Sequence, residues 1–471
     1  MLNPLLPELG TAYYVCEWLV RLAMLAIVPM RRTAAAARSW LLLIFFLPIP
    51  GLLLFLAIGR PSFPRWRAER FDRLQPFFGK LSGQLASTSP PVLTEMDEGV
   101  AALAHRLGRF PAVGGNSVEF LADYDGMIDR LIADIDAAGR HVHLLVYIFA
   151  SDVTGRRVAE ALARAVRRGV ACRVLIDPVG SHAWVRDALH MLREAGVDAR
   201  ASLPFRFLRG RTRRDMRNHR KLFLIDGAIG YAGSQNIVDK DFRPGVENRE
   251  LVARVTGPAV AEMAAVFLAD WYLETEVMLA EPALPAATGD VTAQLLPSGA
   301  DYPQAGFESL LVWQLHEARE RIVIVTPYLV PDDDILVAMR TAVLRGVEIH
   351  LVVSAVVDQP LVNLAQSSYY DELLASGVRI HRYRHYLLHA KNISVDGRLA
   401  IVGSSNVDIR SFQLNQEAVM LFFGISAVAA LEAVQHGYLE ASDEMDLMLW
   451  RRRPWLHKLG ENVARLVGPL L

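Results

Sequence analysis

Six residues recur in the same order at one fixed offset. His219, Lys221, Asp226, Gly233, Ser234 and Asn236 are matched by His389, Lys391, Asp396, Gly403, Ser404 and Asn406, each 170 residues further on. A single His-x-Lys-x4-Asp arises by chance in a chain this long on the order of one time in a hundred. Two copies, each followed in register by Gly-Ser-x-Asn, leave no room for accident. They require a duplicated fold whose halves place like chemistry in like places. Lysine usage sharpens the point, because the chain has 5 Lys against 45 Arg and two of the five stand in the repeat.

The duplication reaches beyond these residues. Segments 141–152 (HVHLLVYIFASD), 156–170 (RRVAEALARAVRRGV), 171–177 (ACRVLID) and 192–199 (LREAGVDA) have counterparts at 321–334 (RIVIVTPYLVPDDD), 335–347 (ILVAMRTAVLRGV), 348–354 (EIHLVVS) and 373–380 (LLASGVRI). Short β-branched runs alternating with segments of 3.6-residue apolar period predict βα units and an α/β sandwich built twice. Gly169 and Gly346 close the matched helices. The expected domains are 116–290 and 291–445, preceded by an anchor over 1–64 and a linker over 65–115. A basic amphipathic tail over 446–471 follows. Its Trp450 and Trp455 flank Arg451, Arg452 and Arg453, which favours the lipid head-group region over packing on the catalytic core.

In a strand, side chains two apart share a face. Residues 219–225 and 389–395 are read as such strands, so each copy offers one imidazole beside one ammonium. Two copies about a pseudo-twofold would gather two of each around one pocket. That set suits phosphodiester chemistry with no metal or other cofactor. Lys221 and Lys391 neutralise charge on the transferring phosphoryl group, and Ser234, Asn236, Ser404 and Asn406 add hydrogen bonds to its oxygens. One histidine attacks phosphorus while the other protonates the leaving alkoxide and then deprotonates the incoming alcohol, tasks suited to a side chain titrating near neutrality. An Asn-x-Glu follows each copy, ending at Glu250 and Glu417, and these glutamates are assigned to orienting the histidines. Asp226 and Asp396 complete the catalytic signature, read as bracing the turn after the strand rather than touching phosphate.

The amino-terminal end differs in kind. Residues 40–58 carry no charge over 19 positions, enough to cross ~30 Å of hydrocarbon if helical. Residues 11–30 are also apolar but hold Glu17 and Arg21, an i,i+4 pair able to neutralise itself. A cleaved signal peptide fits poorly, because no basic n-region opens the chain and a second apolar segment follows at once. Two spans are the favoured reading. The alternative is a hairpin bent at Pro48, Pro50 and Gly51, which keeps the basic flanks (Arg31, Arg32, Arg38; Arg60, Arg65, Arg67, Arg70) on the cytoplasmic side.

Other signals carry less. The formal charge of −1 hides a basic run, Arg206, Arg209, Arg211, Arg213, Arg214, Arg217 and Arg220, suited to phospholipid head groups or nucleic acid, or to plain solvation. Cys16 and Cys172 are too few and too distant for a disulfide framework or a zinc site. His141 and His143 lack further ligands and read as core or edge histidines. Asp332, Asp333 and Asp334 precede a helix and read as its cap rather than a Mg²⁺ site.

The paired His-x-Lys-x4-Asp and Gly-Ser-x-Asn motifs resemble the phospholipase D superfamily, which implies a duplicated phospholipase D-like fold sharing one active site. A narrower similarity, to bacterial cardiolipin synthases, covers almost the whole chain. It rests on the hydrophobic pair followed by RWRAERF (65–71), on RNHRKLFLIDGAIGYAGSQNIVD (217–239), TPYLVPDD (326–333) and GSSNVDIRSFQLNQE (403–417). Gln416 departs from the family, which usually shows an aromatic residue there. The resemblance implies transfer of a phosphatidyl group between two phosphatidylglycerols with release of glycerol, with His219 as nucleophile and His389 as acid and base. It also implies an enzyme on the bacterial inner membrane, facing the cytoplasm among anionic lipids, with no nucleic-acid partner. Oligomeric state is open, a homo-oligomer included. Competing readings are a phospholipase D-type hydrolase, a synthase using phosphatidylethanolamine as second substrate, and a catalytically dead lipid-binding scaffold. The two intact motifs weigh against the last.

Overall fold

A computed structural model describes residues 5–32, 34–59, 63–204, 215–302 and 306–467. Among these residues a single fifteen-stranded sheet runs through both halves of the duplication. From the centre outward, the first half contributes Val113–Leu121, Val252–Thr256, Ile229–Gly233, Leu222–Ile225, His141–Val146, Ala171–Ile176 and Asp198–Ala201. The second half repeats that order with Val291–Ser298, Glu417–Phe423, Leu399–Gly403, Asn392–Val395, Arg321–Val325, Glu348–Ser354 and Arg379–Tyr383, and Ser442–Glu444 is added at its edge. The halves join antiparallel where Val113 faces Ala293. The outer strands of each half pair in parallel through helical crossovers.

Strands Leu222–Ile225 and Glu417–Phe423 are buried on both faces, which is why they read as nearly unbroken apolar runs. The matched helices begin and end alike. Asp152 accepts the Gly155 N–H and Asp332 accepts the Ile335 N–H as N-caps. At the other end Gly169 (φ 88°) and Gly346 (φ 92°) turn left-handed. A Cβ added at either site would meet no atom within 4 Å, so backbone conformation rather than space demands glycine there. Helix Ala259–Thr275 is apolar nearly all round and buried along almost its whole length, as a helix must be when both sheet halves cover it. Its Phe267 joins Leu222, Ala253, Val402 and Phe422 in one core common to both halves.

Residues 65–115, expected to form a linker, instead hold helices Arg65–Asp72, Gln75–Thr88 and Glu95–Gly108. Phe71, Leu74, Phe78, Leu81 and Leu85, spaced three or four apart, insert one stripe into the common core. Arg67 is fully buried and pairs with Glu274 at 2.9 Å and Asp301 at 3.3 Å. The apolar stripe is diluted by charged residues in sequence, and only docking reveals it.

The amino-terminal residues form helices Leu5–Ile27, Ala34–Phe46 and Pro48–Ile58. Among the described residues no helix is long and apolar enough to cross a membrane, which corrects the expectation of two spans. The charge-free segment breaks at Leu47 because Pro48 and Pro50 cannot donate backbone hydrogen bonds. Its two helices, of 13 and 11 residues, rise only ~20 Å and ~16 Å. They fold back on each other: a Cβ on Gly51 would lie 2.9 Å from Ile44 Cγ1, and Trp40 meets Phe55 edge-on at 5.2 Å. Glu17 and Arg21 form the expected ion pair at 3.2 Å.

The tail helix Trp455–Val467 lies along helix Pro360–Ser376. It does so through Ala464, which is buried, and Arg465, stacked 4.3 Å over Tyr369, and it leaves Trp455, Leu456, Leu459 and Val463 exposed. The tail thus packs on the second half through one face and leaves an apolar face open. Of the basic run, Arg206, Arg209, Arg211, Arg213 and Arg214 lie outside the described residues. Arg217 and Arg220 are not a solvated surface: both are buried, paired with Asp177 and Asp270. His143 also lies in the interior, stacked between His141 and Phe267.

Candidate active site

The strands carrying the signature start later than expected, at Leu222 and Asn392, so each histidine and lysine stands just outside its strand at the seam between the halves. There the backbones cross over. His219 N–H donates to Gln416 O at 2.9 Å and Gln416 N–H to Arg217 O at 2.8 Å. In mirrored fashion, His389 N–H donates to Arg249 O at 2.7 Å, beside a short parallel pairing of Leu387–Leu388 with Asn248–Arg249. Each histidine segment is thus zipped to the Asn-x-Glu segment of the opposite half.

That zipper delivers the glutamates. Glu417 Oε1 and Oε2 lie 2.9 and 3.0 Å from His219 Nδ1, and Glu250 Oε1 lies 2.8 Å from His389 Nδ1. With Nδ1–H donating to carboxylate, each ring leaves Nε2 as its open nitrogen. Ser404 Oγ donates to Glu417 Oε2 at 2.5 Å and accepts the Ala418 N–H at 3.0 Å. Ser234 accepts the Leu251 N–H at 3.0 Å. Both serines, expected to meet substrate, are buried behind the glutamates, where they hold the segments that hold the histidines. Asn236 and Asn406 do reach the cavity.

Asp226 and Asp396 do not. Asp226 accepts three backbone N–H groups, from Gly139, Arg140 and His141, at 2.7–2.8 Å. Asp396 does the same for Arg319, Glu320 and Arg321 at 2.8–2.9 Å. Each opens an Asp-Gly hairpin at positive φ, at the end of the strand remote from the histidine. Their place in the catalytic signature is therefore structural, as carboxylates tying the hairpin to the neighbouring strand.

Lys221 and Lys391 are buried, and each donates to the carbonyl of its own histidine, at 2.6 and 2.5 Å. Burial dominates the electrostatics. It pushes both histidines down to about 4, only partly opposed by the facing glutamate and reinforced by the lysines of both halves. It pushes Lys221 down to about 7 and Lys391 to about 8, each opposed by the glutamates and Lys221 lowered further by Lys391. Burial alone would raise Glu250 and Glu417, but the adjacent histidine and then the lysine bring both below the usual range. Below about pH 7 the resting site therefore holds neutral imidazoles, ionised glutamates and two ammonium groups whose charge is costly until an anion arrives.

A kinetic consequence follows from the lysines. Both are charged below about 7 and both neutral above about 8, so kcat/KM is expected to fall as pH rises through that interval. A pH–rate profile checks it, and Lys221→Arg, which stays charged, should move the alkaline limb up toward the value set by Lys391.

The cavity over this group measures about 300 Å³ and is lined by both histidines, Asn236, Asn406, Tyr147 and Tyr328. The tyrosines were not legible as site residues. Tyr147 stands edge-on to His219 with ring centroids 4.7 Å apart, and Tyr328 to His389 at 6.1 Å. Aligning the halves on their capping aspartates, Asp152 and Asp332, places Tyr147 five residues upstream and Tyr328 four, one position out of register, so the repeat does not pair them. Asp177 was also missed. It accepts the Asn218 N–H at 3.0 Å and pairs with Arg217, fixing the approach to His219 from below.

Residues 131–271 and 311–435 match the family described as cardiolipin synthase, PLD-like domain. Cardiolipin synthase A of Salmonella arizonae is 34% identical, the alignment spanning 98% of this chain and 100% of that protein. The protein of the same name from Salmonella paratyphi C gives the same figures. Among solved structures, phosphatidylserine synthase of Haemophilus influenzae Rd KW20 superposes with a TM-score of 0.62 over 79% of this chain and 100% of its own, at 15% identity. Polyphosphate kinase of Porphyromonas gingivalis reaches 0.50 over 77% of this chain and 52% of its own, also at 15% identity. Both likenesses bear on the fold alone.

Proposed function

Because the chain belongs to the bacterial cardiolipin synthases of the phospholipase D superfamily, we propose that it transfers a phosphatidyl group from one phosphatidylglycerol to a hydroxyl of another and releases glycerol. The observation that carries this reading is the pair of imidazoles in one cavity, each tied at Nδ1 to a buried glutamate from the opposite half, above two buried ammonium groups. In the first step His219 Nε2 attacks phosphorus and the bond to the leaving glycerol oxygen breaks. His389 Nε2–H gives that oxygen its proton. In the second step the acceptor hydroxyl passes its proton to His389 Nε2, its oxygen attacks phosphorus, and the bond to His219 breaks.

The electrostatics suit the sequence of steps. Burial keeps His219 unprotonated and so nucleophilic at neutral pH. An anionic phosphodiester in the cavity favours protonated His389, restoring the acid that burial alone suppresses. The same anion favours charged Lys221 and Lys391, which are placed to stabilise the equatorial oxygens in both steps, with Asn236 and Asn406 adding donors.

Attachment to the inner membrane, with the catalytic halves toward the cytoplasm, is read from the amino-terminal hairpin. Its helices leave Leu42, Phe45, Phe46, Leu53, Leu54 and Leu56 exposed, an apolar surface suited to one leaflet. A hairpin also returns both basic flanks to one side.

The test is product analysis with purified protein in detergent, phosphatidylglycerol as sole lipid and no added metal. Cardiolipin and glycerol in equal amounts are expected. Phosphatidic acid as the only lipid product would mean that water is the acceptor and would sink the synthase reading. Cardiolipin only after phosphatidylethanolamine is added would reassign the second substrate.

A further inference from the structure

A synthase needs something that a hydrolase does not, namely a place for a second phosphate. The acceptor lipid carries its own phosphodiester three carbons from the attacking hydroxyl. In-line displacement puts the departing glycerol and the incoming acceptor on the same side of phosphorus, opposite the nucleophile. If His219 attacks, the second phosphate must sit beyond His389.

Two arginines line the cavity, Arg243 and Arg410. The field of Arg410 acts on Tyr147, the partner of His219, and its Nη2 donates to Asp215 O at 3.0 Å. It therefore stands on the nucleophile's side. Arg243 stands on the other, where its charge acts on Tyr328 and Lys391. Its guanidinium pairs with Asp358, a carboxylate only 2% exposed in the second half, while its own side chain remains 37% exposed. The Tyr328 hydroxyl donates to the same carboxylate at 2.6 Å. Asp358 thus pins one edge of a planar fork, whose central carbon lies 5.2 Å over the ring of Phe242. A carboxylate occupies at most two of the five guanidinium N–H donors, which leaves the others for an anion in the cavity.

We propose that Arg243, held by Asp358 and Tyr328, binds the phosphodiester of the acceptor lipid and so selects a phospholipid over water or a neutral alcohol as the second substrate. The inference rests on the transfer reading above. It also explains why the tyrosine of the second half hydrogen-bonds a carboxylate: Tyr328 links the acceptor's phosphate site to the histidine that must deprotonate the acceptor's hydroxyl.

The experiment uses the full-length protein in mixed micelles of phosphatidylglycerol with ethanol as a competing acceptor. Two products are read, cardiolipin from the charged acceptor and phosphatidylethanol from the neutral one. Arg243→Gln is expected to lower the ratio of cardiolipin to phosphatidylethanol at least tenfold, and Arg243→Lys, which keeps the charge but loses the fork, to lower it less. An unchanged ratio in Arg243→Gln would overturn the proposal, as would a parallel fall of both products. Wild-type protein that forms phosphatidylethanol but never cardiolipin would instead overturn the synthase reading itself, which separates the two failures.

Discussion

Alanine at His219 or at His389 is expected to lower cardiolipin formation by ~10³- to 10⁵-fold, because each removes a group that forms or breaks a bond in both steps. The two losses should differ in kind. His219→Ala removes the nucleophile and leaves Glu417, fully buried, beside Lys221 without its imidazole partner. No substrate should rescue it. His389→Ala keeps the nucleophile and its glutamate but cannot protonate the leaving glycerol. A phosphatidyl ester of p-nitrophenol, whose leaving group needs no proton, should therefore restore the first step, release nitrophenol in a single burst, and leave a phosphatidyl group on His219 for want of a base to activate the acceptor. Intact-mass and peptide mapping of that variant after reaction provide the check. A group trapped instead on His389, in His219→Ala treated the same way, would reverse the assigned order.

Glu417→Gln is expected to cost ~10²- to 10⁴-fold in kcat, the range seen where a buried carboxylate that orients a catalytic imidazole becomes an amide. The replacement is nearly isosteric and Ser404 still reaches the side chain, so the fold should survive and circular dichroism should show it. What changes is the tautomer. An amide nitrogen facing Nδ1 favours the ring with its proton on Nε2, which closes the nucleophilic nitrogen. A second readout separates this from a structural effect. Glu417 is the largest influence opposing the depression of Lys221, so removing its charge should lower Lys221 below about 7 and move the alkaline limb of the rate profile toward lower pH. A uniform loss of activity with an unmoved limb would argue that Glu417 only packs the site.

The glutamates also show where sequence reading stopped. Their type and spacing were visible, because each lies a short covalent distance after its own motif. Their pairing was not. His219 meets a glutamate 198 positions away and His389 one 139 positions away, and the order of motif and glutamate along the chain carries no sign of the exchange. The hydrogen-bond partners of Ser234 and Ser404 were hidden for a related reason, since hydroxyls in a Gly-Ser-x-Asn run can serve a substrate or a neighbouring backbone and carboxylate with the same sequence. Residues 65–115 read as a linker because their apolar stripe has no repeat to match and becomes a core only against helix Ala259–Thr275 and the sheet. The charge-free run at 40–58 counted as long enough to span because hydropathy sums over residues, whereas two prolines divide it into helices that are each too short.

The duplication of the fold, the alternation of strands and helices in each half and the two matched His-x-Lys pairs were legible in the sequence alone. Each of these is written in local periodicity or in a repeat at constant offset, both properties of covalent spacing. That each half completes the other's histidine, and that Tyr147, Tyr328 and Arg243 enclose one cavity, appears only in the tertiary structure. Those are contacts across the seam between the halves, and burial at that seam, which draws the histidines to about 4 and the lysines to about 7 and 8, exists only once the two halves close on one another.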